Sequence, residues 1–140
     1  MDLDLTDEQR AVREMARKFA DEYIVPVARD NDVHERFDGI ILDPPAFVKS
    51  RSKVREGLQG YWEINRRAMR LVKPGGYLIT CSCSYHVDPE TFRSTLSRAA
   101  RAARRTVALV EMRSQGKDHP VLLPLSESAY LKCAVLMLVD

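Results

Sequence analysis

No apolar stretch in this sequence approaches the roughly 20 residues that a membrane-spanning helix needs. The N-terminus, Met1-Asp2-Leu3-Asp4, places acids where a secretory leader carries positive charge. Both absences point to a cytoplasmic protein. Cysteine is scarce: Cys81, Cys83 and Cys133 are three, an odd number, and a C-x-C pair with no second pair at ligand spacing. That excludes a disulfide framework and argues against a zinc site. His86 and His119 are too scattered to change the metal reading. The six glycines, Gly39, Gly57, Gly60, Gly75, Gly76 and Gly116, include no G-x-G. A glycine-rich nucleotide loop between a strand and a helix is therefore absent.

What is present divides near residue 36. Residues 1–36 hold ten acids and six Lys/Arg, a net charge of −4, and residues 37–140 hold ten acids and sixteen Lys/Arg, a net charge of +6. A basic body suits a polyanion such as RNA, although a solvated arginine-rich surface gives the same count.

The acidic part opens with Thr6-Asp7-Glu8-Gln9, a capping box, with Leu5 at the staple position. Val12, Met15, Phe19, Tyr23 and Val27 follow at helical spacing and form one apolar stripe. Pro26 is expected to end or kink this helix. Residues 28–36 read as a polar linker.

The basic part alternates strands and helices. Phe37–Leu42 reads as a strand buried on both faces, stopped by Asp43-Pro44-Pro45. A basic loop leads to a helix over 54–71. A turn at 73–76 precedes a buried strand over 77–82. Asp88 caps a helix whose inner side carries Phe92, Leu96 and Ala99. Strands follow at 106–112 and 130–139, joined by a long loop, which makes them an antiparallel pair. The expected fold is α/β: a mostly parallel sheet of about four strands, the last two antiparallel, with an added N-terminal amphipathic helix.

Two strand ends carry chemistry. Asp43 lies where α/β sheets bind ligands, and the prolines stiffen its loop. Phe47 is placed to stack on a planar base. A plain capped turn accounts for Asp-Pro-Pro equally well. In Thr80-Cys81-Ser82-Cys83-Ser84, two thiols two residues apart share one side of a strand. A thiolate that attacks carbon 6 of cytosine makes carbon 5 nucleophilic. A protonated, buried Asp43 at the N3 edge of the base favours that attack. Packed core cysteines are the alternative.

The segments FDGIILDPPAFVKSRSKVREGLQGYWEINRRAMRLVKPGGYLITCSCSYH and DHPVLLPLSESAYLKC resemble the C-terminal half of the large-subunit ribosomal RNA cytosine-5 methyltransferases, a Rossmann-like SAM-dependent family. The resemblance runs from about Glu35 to Val139. It implies S-adenosyl-L-methionine as cofactor beside Asp43, Pro44 and Pro45. It implies Cys83 as nucleophile, with Cys81 second. It implies RNA as substrate, met by Phe47, Lys49, Arg51 and Lys53. Asp118-His119-Pro120 and Tyr130-Leu131-Lys132 match further motifs of the family, without an assigned role. The glycine-rich loop that should hold most of the cofactor does not precede Phe37.

The stretch LTDEQRAVREMARKFADEYIVPVARDNDVHERF resembles the opening helix of acyl-CoA dehydrogenases, without their flavin site or base. The sequence therefore reads as a fusion of two parts, 1–34 and 35–140, joined near Glu35-Arg36-Phe37. Three functions compete: a methyltransferase or its remnant, a catalytically silent RNA-binding module, and an interaction fragment. The Phe37–Leu42 strand is expected to leave an open sheet edge that supports a homodimer.

Overall fold

The computed structural model describes residues 6–28 and 37–140. The chain divides into two compact units, with the boundary between Arg36 and Phe37. The staple residue Leu5 and the 29–36 part of the linker lie outside the described residues.

The first unit carries helix α1, Asp7–Phe19. The capping box forms: Gln9 N donates to Thr6 Oγ1 at 3.3 Å, and Thr6 N donates to Gln9 Oε1 at 3.0 Å. Two of the backbone donors left over at a helix start are thereby satisfied. Ahead of Pro26 the helix loosens into a π-helical segment, Ala20–Ile24, rather than stopping. Proline has no N–H and its ring crowds the carbonyl four residues earlier, so a wider turn relieves the clash. Phe19 and Tyr23 stack at 5.2 Å between ring centroids.

The second unit contains β1 (Phe37–Leu42), α2 (Val54–Leu71), β2 (Val72–Ser82), α3 (Pro89–Ala103), β3 (Val107–Arg113) and β4 (Lys132–Leu138). The sheet order is β1-β2-β4-β3, with β1 parallel to β2, and β4 antiparallel to both β2 and β3. The expected α/β sheet of four strands with an antiparallel end is present.

The turn expected at 73–76 is instead an excursion inside β2. Phe37 is opposite Val72, yet Gly39 is opposite Tyr77. Gly75 takes φ +77°, and a Cβ on Gly76 would come within 2.7 Å of the Asp38 carbonyl oxygen. Only glycine fits both demands.

Helices α2 and α3 pack side by side against one face of the sheet. On that face Leu78, Thr80 and Ser82 of β2 and Ala134, Leu136 and Leu138 of β4 are buried. Tyr61, Met69, Phe92, Leu96 and Ala99 meet them from the helices. The intervening residues are only half-buried or exposed, and Ile41 of β1 is 72% exposed. The apolar run Phe37–Leu42 is therefore covered on one face among the described residues, not on two. Its outward residues reflect strand propensity more than burial. Asp88 caps α3: its carboxylate accepts from the Thr91 hydroxyl at 2.6 Å and from Thr91 N at 2.8 Å, and these bonds hold its carboxyl below the usual range.

Candidate functional site

The parallel register sets Leu42 beside Thr80. Asp43 therefore continues alongside Cys81, and the two motifs singled out in the sequence leave the sheet together. Beyond the strands their loops are stitched. Val48 N donates to Ser84 Oγ at 3.0 Å, and Ser84 Oγ and Tyr61 Oη share a hydrogen bond of 2.9 Å. Phe47 N donates to Tyr61 Oη at 3.5 Å, and Cys83 Sγ approaches the Pro44 carbonyl oxygen at 3.9 Å. Ser84 and Tyr61 are fully buried. In such surroundings a satisfied polar network fixes one loop geometry, because each missing bond is costly.

The 44–50 loop lies directly on the first turns of α2. A Cβ on Gly57 would stand 2.3 Å from Val48 Cγ2 and 2.9 Å from the Phe47 carbonyl, and one on Gly60 would stand 3.0 Å from Phe47 Cδ2. The Phe47 ring packs on Tyr61, with centroids 4.7 Å apart. The ring expected to stack on a base is thus half-buried and packs within the loop. Asp43 also departs from expectation. It is exposed, so the burial invoked to keep it protonated is not there. Pro44 is half-buried and Pro45 exposed, which leaves this strand end open to a ligand.

The three thiols are free and none is fully buried. Cys81 lies directly opposite Cys133 in the β2–β4 pair. Burial pushes the Cys81 thiol up to about 12, and a hydrogen bond with Cys133 and the neighbouring charges of Cys133, Asp43 and Cys83 add to it. A thiol so placed stays protonated at neutral pH and is a poor nucleophile. Cys83 sits one step beyond the sheet, on the loop that Ser84 anchors.

Lys132 supplies a feature whose role the sequence left open. It is opposite Ser82 and only 4% exposed. Its Nζ donates to the Ser84 carbonyl at 2.6 Å and to the Tyr130 carbonyl at 2.7 Å. Burial lowers its pKa, while Cys83 and Asp88 nearby favour its charged form. The lysine thus holds the Cys83–Ser84 loop from below. Ser84 and Tyr61 were not legible as anchors, since a serine in a Ser-rich run and a tyrosine in a helical stripe carry no separate signal.

The remaining expected residues lie apart. Lys49, Arg51 and Lys53 are exposed on the loop and 3-10 turn before α2, and Lys53 is paired with Glu56 at 2.7 Å. His119 Nδ1 meets Asp118 Oδ2 at 3.0 Å on the exposed loop between β3 and β4. That loop returns toward the site where Tyr85 Oη and Ser126 Oγ share a bond of 3.2 Å. Among the described residues no helix is long and apolar enough to cross a membrane.

The fold has solved counterparts. A Streptococcus mutans protein described as a SAM-dependent methyltransferase superposes with a TM-score of 0.59 at 21% identity, over 79% of this chain and 27% of that one. A second protein, described as a methyltransferase and solved in complex with SAH, gives 0.61 at 18% identity, over 96% of this chain and 37% of that one. The chain carries part of the fold of these two proteins.

Sequence relatives agree with that fold. Over 104 residues the chain is 42% identical to ribosomal RNA large subunit methyltransferase I of Erwinia tasmaniensis, covering 74% of this chain and 26% of the relative. A Methanocaldococcus jannaschii protein described in the same terms, as a ribosomal RNA large subunit methyltransferase, is 36% identical over 99 residues, covering 71% of this chain and 25% of its own length. The C-terminal portion resembles these ribosomal RNA methyltransferases, and the chain spans about a quarter of the length of the curated relatives it matches. No family model matches the chain.

Proposed function

We propose that residues 35–140 derive from an RNA cytosine-5 methyltransferase in which Cys83 is the nucleophile. The observation that carries this reading is the junction of the two loops, with Cys83 Sγ 3.9 Å from the Pro44 carbonyl and Val48 bonded to Ser84. It holds a reachable thiol beside an exposed carboxylate at the carboxyl ends of two parallel strands, where open α/β sheets bind their ligands. Cys81 is the weaker candidate because its proton is held tightly.

In this reading the Cys83 thiolate adds to carbon 6 of a cytosine and carbon 5 becomes nucleophilic. S-adenosyl-L-methionine, when bound, supplies the methyl group that carbon 5 takes. Water then takes the carbon 5 proton, and the C6–S bond breaks to return the thiolate. Lys132 fixes the loop that carries Cys83. Asp43 would meet the base edge. Asp43, Pro44 and Pro45 would line the cofactor on this side. The exposure of Asp43 and Pro45 fits that role.

The first 34 residues belong, in this proposal, to a separate lineage resembling the acyl-CoA dehydrogenase leader. The change of charge near residue 36 and the division between Arg36 and Phe37 support it.

RNA containing 5-fluorocytidine tests the assignment, because fluorine cannot leave carbon 5 as a proton does. A covalent adduct at Cys83, formed where the missing part of the S-adenosyl-L-methionine site is supplied, is the outcome this reading expects, and Cys83→Ala abolishes it. An adduct at Cys81 overturns the choice of nucleophile. RNA binding without any adduct favours the second reading, a catalytically silent RNA-binding module, which the excess of basic residues after residue 36 also supports.

A further inference from the structure

The outer side of α2 and α3 holds a second basic feature, which the linear sequence does not show. A cleft of about 580 Å³ is lined by Arg51, Ser52, Arg55, Leu58, Gln59 and Arg98. Arg51 comes from the 3-10 turn, Arg55 from the first turn of α2, and Arg98 from the middle of α3. All three arginines are exposed, and none makes an ion pair among the described residues. The acid nearest in sequence, Glu56, is held by Lys53 at 2.7 Å. No carboxylate lines the cleft. Three arginines therefore line one cleft with no carboxylate among its lining residues. Elsewhere on the same helices arginines are paired, as Arg66 and Arg67 are with Glu63 and Arg93 is with Glu90.

Like charges held together cost free energy unless an anion joins them. The guanidinium fork matches phosphate oxygens in pairs, and serine and glutamine side chains add neutral donors. The cleft is also tied to the candidate site. Arg55, Leu58 and Gln59 face outward from the same two helical turns whose inner side, at Gly57 and Gly60, seats Phe47 and Val48. A strand gripped in the cleft would lie about one helix diameter, roughly 10 Å, from the loop that carries Asp43.

We propose that Arg51, Arg55 and Arg98 form a phosphate clamp for a single-stranded RNA backbone, which holds the strand beside the Cys83 loop. The proposal rests on the RNA-methyltransferase reading for its ligand, but not on methyl transfer. Its geometry also revises the expected basic contact: Lys53 is engaged with Glu56, and Arg55 and Arg98 replace it.

The test is a titration of a fluorescein-labelled single-stranded RNA 12-mer with the full chain, followed by anisotropy between 50 and 200 mM KCl. Each neutralised phosphate contributes about 0.7 to the slope of log affinity against log salt. Arg55→Gln and Arg98→Gln are each expected to lower the slope by about 0.7 and to weaken binding several-fold. Arg67→Gln, which removes a guanidinium already held by Glu63 at 2.6 Å, is expected to change neither. Circular dichroism melting confirms that the surface variants fold. Unchanged slopes in the two cleft variants would overturn the clamp. So would equal losses in Arg67→Gln, which would indicate diffuse charge, or the absence of RNA binding. A clamp that passes while no Cys83 adduct forms separates this proposal from the failure of the catalytic one.

Discussion

Val48 donates its backbone N–H to the hydroxyl of Ser84 at 3.0 Å, and this one bond joins the loop after β1 to the loop after β2. Both partners are buried, so removing the acceptor leaves a donor with nothing to bind. Ser84→Ala is expected to cost about 1–3 kcal/mol in urea unfolding. Tyr61→Phe keeps the ring packing against Phe47 and Phe92 and loses only the hydroxyl, so it should cost less. An equal or larger loss in Tyr61→Phe would place the main anchor on the tyrosine.

The glycines of α2 make a paired prediction. In an exposed helix, Gly→Ala gains about 1 kcal/mol. At Gly57 the new methyl would stand 2.3 Å from Val48 and 2.9 Å from the Phe47 backbone, so Gly57→Ala should destabilise despite that gain, by about 1–3 kcal/mol. At Gly60 the nearest atom is the edge of the Phe47 ring at 3.0 Å, which can give way, and Gly60→Ala should be near neutral. Denaturant midpoints decide, and equal effects would refute the loop seating described above.

Thiol reactivity separates the cysteines. Cys81 is pushed up to about 12 by burial and by Cys133, so its alkylation by iodoacetamide should be slow at pH 8 and should accelerate only in strong alkali. The folded protein holds that proton more tightly than the unfolded chain, whose thiol loses it near pH 8.5. The stability tied to it is full below pH 8.5 and is lost as the pH rises toward 12. Cys81→Ala should flatten the fall in melting temperature across that window. Peptide mapping that finds Cys81 labelled before Cys83 at pH 8 would contradict the site as assigned.

Strand β1 pairs only with β2 among the described residues, and Ile41 is 72% exposed beside that free edge. An unprotected edge is a template for pairing with a second copy. Light scattering is expected to show a concentration-dependent dimer, and Ile41→Lys should shift it toward monomer. A monomer at every concentration would rule out edge pairing.

Local signals in the sequence carried much of this structure. Thr6 and Gln9 announced their capping box, Asp88 its helix, and the apolar spacing from Val54 to Leu71 gave α2 its observed limits. What could not be read depends on tertiary partners. Phe47 looks free until α2 folds beneath it with two glycines. Asp43 ends an apolar run that is covered on only one face. The pairing of Cys81 with Cys133 is a matter of strand register across 52 residues, and Arg98 comes to share a cleft with Arg55 only once α2 and α3 lie side by side.

The excursion at Lys73–Gly76 has a consequence for how the molecule tolerates change in length. Phe37 to Gly39 spans two steps on β1, while Val72 to Tyr77 spans five on β2, so three residues are slack. A one-residue insertion or deletion in an ordinary strand would turn every later side chain to the other face. Here the slack can absorb it before Tyr77, and Cys81 keeps its place alongside Asp43, as Cys83 does its approach to Pro44. The Pro74-Gly75-Gly76 segment works as an expansion joint, isolating the register at the Cys81 end of the strand from length changes at the other.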